Sequence, residues 1–189
     1  MESANFLTGQ FLLAMPGIGD PRFERAVIAM CAHDEEGALG IGIGETIDGL
    51  GLHDLFEQFE IDPGDTPDAA VHFGGPVEPR RGFVIHSPDW GGQDTIDVGG
   101  RWALSGTIDV LKAIAEGKGP SHWLVALGYA GWGEGQLDGE VEEGSWYVVT
   151  SEAADAFRGD PSGLWRDVMR RQPGMLAWHV NRPVDPDMN

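Results

Sequence analysis

Cysteine and basic residues are both scarce in this chain. Among 189 residues there is one cysteine, Cys31, and there are 12 lysines and arginines in total. A single cysteine excludes an intramolecular disulfide and leaves no second thiol for a CxxC redox or zinc site. The N-terminal apolar stretch from Phe11 to Met15 is far shorter than a signal-peptide core or the roughly 20 residues that span a bilayer. We therefore expect a cytoplasmic protein that does not enter a membrane.

The scarcity of basic residues leaves a strongly acidic chain. Its 31 aspartates and glutamates against 12 basic residues give a formal net charge of −19 and a pI near 4.4. Such a field repels nucleic-acid phosphates over about a Debye length. No segment has the helix-turn-helix pattern with base-reading arginine, asparagine or glutamine. Direct binding to nucleic acid is therefore disfavoured.

Glycine and apolar residues are what the chain has in quantity. Apolar residues make up 41% of it, which is enough to fill one core without a disulfide or metal. The 29 glycines are scattered without a fixed period, so collagen-like and flexible-linker interpretations fail. No repeat or long linker divides the sequence. We expect one domain over residues 1–180, followed by a loose tail over residues 181–189.

Apolar runs alternate with turn residues along most of the chain, which is typical of a strand-rich fold. The runs predict strands over residues 9–15, 26–33, 38–44, 71–73, 82–86, 123–127 and 146–150, and a final edge strand over 175–180. Helical spacing predicts helices over 52–59 and 164–169, one capped by Thr107, a short one starting at Asp20–Pro21, and a glycine-containing one over 131–143. This order predicts an α+β fold in which helices flank a mixed, largely antiparallel sheet that can curl into a barrel.

Glycines alternate with larger residues in the predicted strand over residues 38–44. One face of that strand is therefore bare, and backbone or a ligand can approach it closely. A phosphate-binding loop would need a G-x-G-x-x-G turn that opens a helix, or a following lysine. Here the glycines fall inside a strand and the next charged residues are Glu45 and Asp48, so a phosphate cradle is not favoured.

Cys31 and His33 are the one cysteine–histidine pair close enough in sequence to suggest nucleophilic catalysis. They lie two residues apart on a predicted strand, so their side chains would share a face. The surrounding run AVIAMCAH is typical of a core strand, however, and a structural role is favoured. No G-x-S-x-G elbow and no H-x-x-x-H or H-E-x-x-H spacing on a helix occurs. The sequence therefore predicts no catalytic residue, no metal site and no cofactor.

The turn Gly74-Gly75-Pro76 is the first candidate binding site. Two glycines permit positive φ and can present backbone N–H groups to an anion, although a tight connection between strands is the simpler interpretation. Two arginines follow it, and with Arg22 and Arg25 they are the densest positive charge in the first half of the chain. A small anionic ligand is therefore predicted near this turn. The candidate residues are Gly74, Gly75, Pro76, Arg80, Arg81 and, at the end of the next strand, His86.

The segment GYAGWGEGQL is the second candidate site. Tyr129 and Trp132 stand beside glycines, and Gln136 follows one helical turn after Trp132. Aromatic anchors with an amide suit recognition of a ligand or protein partner, although packing of a helix start against the sheet is favoured. The acidic residues that follow, Glu140 among them, are most simply a solvated face that could dock a basic partner.

Three segments together resemble one protein family. They are LTGQFLLAMPGIGDPRFERAVIAMCAHDEEGALG, VHFGGPVEPRRGFVIH and LVALGYAGWGEGQLDGEVEEGSWYVV. In these segments, in the same order, the chain is similar to the YqgE/AlgH family of bacterial proteins, and with the helix over 164–169 the similarity spans nearly the whole chain. It departs from the family's pattern at Gly44, where the glycine-led strand typically ends in asparagine. The resemblance implies a single-domain cytosolic α+β protein. The label of transcriptional regulator, which one branch carries, implies no mechanism.

Three functions remain open at this point. The leading hypothesis is a non-catalytic module that binds a small ligand or a protein partner in a cleft near the Gly74-Gly75-Pro76 turn and the GYAGW segment. The first alternative is an enzyme of unrecognised class in which folding assembles His33, His86 or Glu24 as acid–base groups. The second is a transcriptional regulator that acts through a protein partner. Two converging titratable side chains in a cleft would favour the enzyme.

Overall fold

A curled sheet of ten strands is the frame of the part of the chain that the structure describes. The structure is a computed structural model, and it describes residues 6–16, 23–106, 108–158 and 161–172. The strands are β1 Gln10–Ala14, β2 Val27–Asp34, β3 Gly37–Gly42, β4 Thr46–Gly51, β5 Ala70–Phe73, β6 Val77–His86, β7 Ile96–Val98, β8 Trp102–Ser105, β9 Trp123–Trp132 and β10 Trp146–Thr150. The helices are α1 Leu52–Gln58, α2 Ile108–Ala115, α3 Gln136–Glu142, α4 Ala153–Ala156 and α5 Leu164–Arg170.

The strand order explains why the sheet is mixed but mostly antiparallel. The main path runs β10-β1-β2-β3-β9-β6-β8-β7, and the pair β4–β5 joins it at β9. Among the described strands, β5 and β9 form the one parallel pair, and every other pairing is antiparallel. A parallel connection needs a long crossover, and here the segment from β5 to β9 contains β6, β7, β8 and α2.

The two ends of this path approach each other, which curls the sheet. Arg101, in the turn between β7 and β8, donates from Nη1 to the carbonyl oxygen of Ser151, 2.9 Å away and directly after β10. The hydroxyl of Ser151 in turn donates to the carbonyl oxygen of Gly9, next to β1. The predicted α+β fold, a single domain with a sheet that curls toward a barrel, is therefore confirmed.

The core is divided between the inside and the outside of the curl. Inside it, Phe11 stacks on Trp102 with ring centroids 5.7 Å apart, and Ile41 and Ile85 are completely buried beside them. Outside it, α1 and α2 cover one part of the sheet with Phe56 and Val110. Helix α3 covers another part through Leu137. Both faces of several strands are therefore buried, as their continuous apolar runs require.

Several predicted elements are confirmed, and the largest correction concerns β9. The strand is ten residues long, twice the predicted 123–127, so the GYAGW segment is strand and not the start of a helix. Trp132 pairs with Ala38 on β3, and Tyr129 pairs with Val77 on β6. Strand partners on both sides therefore hold this glycine-rich segment extended, and α3 begins only after Gly135. Strands β4, β7 and β8 are not among the predicted strands.

Some predictions fall outside the described residues. These are the helix start at Asp20–Pro21, the Thr107 cap, the edge strand over 175–180 and the tail over 181–189. Among the described helices, none is both long and apolar enough to cross a membrane.

Candidate functional site

A cavity of about 340 Å³ opens where β3 ends between β2 and β5. Residues 23–28, at the start of β2, form one wall, and residues 73–75, at the end of β5, form the other. Gly42, Gly44 and Glu45 lie between them. Among the described residues that line the cavity, three are charged, Glu24, Arg25 and Glu45, and all three are exposed to solvent.

Main-chain contact between two glycine-containing segments creates this junction. The N–H of Gly42 donates to the carbonyl oxygen of Gly74 at 2.7 Å, and the N–H of Phe73 donates to that of Glu45 at 2.9 Å. A Cβ added to Gly42 would lie 2.5 Å from the carbonyl oxygen of Phe73. The face of β3 that was expected to lack side chains is therefore covered by backbone at Gly42. The cavity opens beside that contact.

The Gly74-Gly75-Pro76 turn connects β5 to β6 and packs on β9. The N–H of Gly74 donates to the carbonyl oxygen of Leu127 at 2.8 Å. Gly75 has a φ of 155°, and a Cβ there would overlap the carbonyl group of Tyr129. The glycines are thus required for close approach of two backbones, and the N–H of Gly74 is used inside the sheet.

Arg80 and Arg81 lie on the exposed part of β6, and neither is among the described residues that line the cavity. Nη1 of Arg81 is 3.4 Å from Oε2 of Glu78, and its guanidinium lies 5.0 Å from the ring centre of Phe83. Tyr129 contacts the same Phe83 ring edge-on. Desolvation raises the pKa of Tyr129, and Glu78 raises it further. Arg81 and Tyr129 are therefore neighbours in a cluster separate from the cavity lining.

Trp132 and Gln136 converge on a single carboxylate. Oε1 of Glu140 accepts hydrogen bonds from the indole N–H groups of Trp132, at 3.2 Å, and Trp146, at 3.0 Å. Oε2 accepts one from the amide of Gln136 at 2.9 Å. Glu140 was predicted as part of a solvated face, but it instead joins α3 to β9 and β10. The polar groups of both candidate ligand-binding side chains are thereby occupied within the fold.

His86 is completely buried at the end of β6. Its Nδ1 lies 2.9 Å from the carbonyl oxygen of Ser87, and its Nε2 lies 2.8 Å from Oγ of Ser105. The ring of Trp90 contacts it edge-on. Desolvation lowers the pKa of His86, while the nearby Ser87 carbonyl and two aspartates oppose that shift. The imidazole is therefore neutral and enclosed near pH 7.

A β-bulge separates Cys31 from His33, so the expectation that they share a face is wrong. The register between β2 and β3 shifts between Met30 and Ala32, which inserts Cys31 as an extra residue. Cys31 packs inside the curl, and burial raises the pKa of its thiol to about 12. Nδ1 of His33 instead accepts the N–H of Leu7, and its Nε2 faces Asp138 of α3 at 3.6 Å.

The cavity thus gathers only part of the predicted site. Gly74 and Gly75 line it with Glu24 of the enzyme hypothesis and with Arg25. The other candidates lie elsewhere, and His33, His86 and Glu24 occupy three different surroundings. Phe23 and Phe73 were missed, because no local pattern distinguishes them from core aromatics. Within the described residues, no group of three or more His, Cys, Asp or Glu side chains could hold a metal ion.

Comparison with known proteins identifies the domain. A family model described as AlgH-like matches residues 11–177. The chain belongs to the AlgH-like family. It is 59% identical over 180 residues to a UPF0301 protein of Rhizorhabdus wittichii, covering 94% of this chain and 97% of that one. It is 52% identical over 172 residues to a UPF0301 protein of Novosphingobium aromaticivorans, covering 91% and 92%.

Two solved structures of similar proteins have the same fold. The solution structure of AlgH from Pseudomonas aeruginosa is 34% identical with a TM-score of 0.75, and the alignment covers 98% of each chain. A crystal structure of a Corynebacterium diphtheriae protein is 25% identical with a TM-score of 0.77, covering 96% of this chain and 95% of that one. The resemblance to the YqgE/AlgH family is confirmed. The described residues that line the cavity all fall inside the region that the AlgH-like model matches.

Proposed function

We propose that this AlgH-like protein is a non-catalytic module that binds a small ligand in the cavity between β2, β3 and β5. The observation that carries the proposal is the cavity itself. Its volume of about 340 Å³ is at the lower end of the roughly 300–1,000 Å³ of small-molecule sites. Its wall combines aromatic and aliphatic side chains with a few charged groups, which is the usual composition of such sites.

The arrangement of the reactive side chains supports binding over turnover. The hydrogen-bonded serine and histidine described above, Ser105 and His86, have no exposed surface. The thiol of Cys31 is buried, and its raised pKa keeps it protonated. Glu24 of the enzyme hypothesis lines the cavity, but neither of that hypothesis's imidazoles does. The enzyme alternative stays a hypothesis, and so does regulation through a protein partner. A cytoplasmic location is part of the proposal.

Amide chemical shifts test this function directly. The ¹⁵N-labelled full chain would be screened against a fragment library that contains cations, anions and neutral compounds in equal numbers. We expect at least one fragment to shift the amides of residues 23–28, 42–45 and 73–75. A library in which no fragment of any charge shifts these amides would overturn the proposal.

A matched pair of variants locates the binding. Ala26→Leu adds bulk to a half-buried residue of the cavity wall, whereas Ala154→Leu makes the same change at an exposed position of α4. Binding should be lost in Ala26→Leu and retained in Ala154→Leu, with both variants giving a dispersed, folded spectrum. Equal binding by a folded Ala26→Leu would show that the ligand sits elsewhere and would contradict the proposal.

A further inference from the structure

We propose that the ligand of this cavity is a small organic cation, in which an ammonium or guanidinium group is attached to an apolar body. This inference rests on the proposed function, and it names the ligand class for the same site. Two glutamates, Glu24 and Glu45, are among the described residues that line the cavity. Within residues 6–16, 23–106, 108–158 and 161–172, neither side chain has an ion-pair or hydrogen-bond partner.

Arg25 is the one cation among the described lining residues, and it does not neutralise these carboxylates. Its guanidinium lies 5.6 Å from the ring centre of Trp165 on α5, which is the geometry of a cation–π contact. Its backbone has a φ of 55°, an uncommon conformation for a residue with a side chain. Two glutamates and one engaged arginine give the described part of the lining a formal charge of −1.

The charge of the whole chain acts in the same direction. A formal charge of −19 attracts a cation toward the cavity mouth and repels an anion. Phe23 and Phe73 add apolar surface to the wall, so a ligand gains most when a positive group is joined to an apolar body. The anionic ligand predicted beside Arg80 and Arg81 stays a prediction for that surface, because neither arginine lines the cavity.

Three probes of nearly equal size separate the effect of charge from that of the apolar body. They are phenethylamine, 2-phenylethanol and phenylacetate, each titrated into the ¹⁵N-labelled full chain at low salt. We expect phenethylamine to shift the cavity amides with the lowest dissociation constant, the alcohol to bind more weakly, and phenylacetate to bind weakest. Raising the salt concentration should weaken phenethylamine more than the alcohol, because ions screen the charge.

Charge-removing variants assign the effect to the two carboxylates. Glu24→Gln and Glu45→Gln should each raise the dissociation constant of phenethylamine about five-fold, the effect of one screened contact between unit charges. Glu142→Gln, on the exposed face of α3, removes the same net charge away from the cavity lining and should change it less than two-fold.

The outcomes separate this inference from the proposed function. Tighter binding of phenylacetate than of phenethylamine, or equal effects of the three glutamine variants, would overturn the cationic ligand and leave a small-molecule site. The absence of shifts with phenethylamine while other fragments bind would also overturn the cationic ligand. If the whole library failed to shift the cavity amides, the proposed function itself would fall.

Discussion

The hydroxyl oxygen of Ser105 lies 2.8 Å from Nε2 of His86, and neither side chain reaches solvent. The carbonyl oxygen of Ser87 faces Nδ1 of the same imidazole, so Nδ1 carries the proton and Nε2 accepts from Ser105. Thr95 continues the chain, because its hydroxyl accepts the N–H of Gly92 and lies 2.8 Å from Oγ of Ser105. In an open site, such a serine and histidine could serve as nucleophile and base. Here, together with Thr95, they join β6, β8 and the loop before β7.

Replacement of Ser105 by alanine should therefore destabilise the fold. Nε2 of His86 would lose its donor while remaining buried, and Thr95 would lose an acceptor. We expect Ser105→Ala to lower the free energy of unfolding by about 1–3 kcal/mol, measured by urea denaturation at pH 7.5. Ser145→Ala is the control, since within the described chain the Ser145 hydroxyl has no hydrogen-bond partner.

Two results would contradict this structural role. One is a Ser105→Ala variant as stable as the wild type and the control. The other is stoichiometric labelling of Ser105 in the native protein by a fluorophosphonate, which reacts with activated serines. Labelling would favour the enzyme hypothesis, because it requires the hydroxyl to be accessible and activated.

His72 predicts a dependence of stability on pH. It is buried on β5 with 6% of its surface exposed, and within the described residues its Nδ1 has no hydrogen-bond partner. Burial lowers its pKa from 6.5 to about 4. Between these values the unfolded chain binds more protons than the folded one. The stabilising contribution of the neutral imidazole is complete above pH 6.5 and is lost as the pH falls toward 4.

The His72→Leu variant isolates this contribution. For the wild type, His72 should account for about 2 kcal/mol of the unfolding free energy lost between pH 7.5 and pH 5. The loss should be smaller by that amount in His72→Leu and unchanged in His122→Leu, where the histidine is exposed. An identical pH dependence in the wild type and His72→Leu would rule out His72 as the source.

Two glycine substitutions should have opposite effects on stability. A Cβ on Gly74 would overlap the carbonyl oxygen of Gly128, which belongs to the backbone of β9 and cannot move freely. A Cβ on Gly139, inside α3, meets nothing within 4 Å. In thermal and urea unfolding, Gly74→Ala should lose about 1–3 kcal/mol through overpacking. Gly139→Ala should gain about 1 kcal/mol through helix propensity.

The contrast between the two variants is the decisive measurement. Equal stabilities would mean that β5 and β9 are not held in backbone contact at this position. Gly75→Ala is a poor probe of ligand binding for the same reason, because its Cβ would collide with the carbonyl group of Tyr129. A cavity variant has to alter a side chain that faces open space.

Local sequence patterns correctly predicted the strands and helices whose conformation does not depend on their pairing partners. The apolar run of β1 and the helical spacing of α5 are examples. Prediction failed where pairing decided the conformation. The second half of β9 contains two glycines and resembles a loop leading into a helix, but β3 and β6 hold it extended. The bulge at Cys31 likewise breaks the two-residue period from which a shared face with His33 was expected.

The candidate site could be predicted only in separate pieces. The alternating glycines of β3 and the Gly74-Gly75-Pro76 turn were each recognised as places of close approach. Their meeting depends on the hydrogen bond between Gly42 and Gly74, which are far apart in sequence, and no local pattern encodes that contact. The role of Glu140 was missed for a similar reason, because its partners Trp132 and Trp146 lie on two different strands.

The parallel pairing of β5 with β9 has a consequence for biosynthesis. Every described residue that lines the cavity lies within the first 75 positions, yet Gly74 is held by the carbonyl oxygen of Leu127. When only the cavity-lining residues have left the ribosome, strand β9, which holds Gly74 in place, has therefore not yet emerged. The nascent protein can acquire its cavity only after β9 has emerged from the exit tunnel, so ligand binding during translation is confined to the last third of the chain.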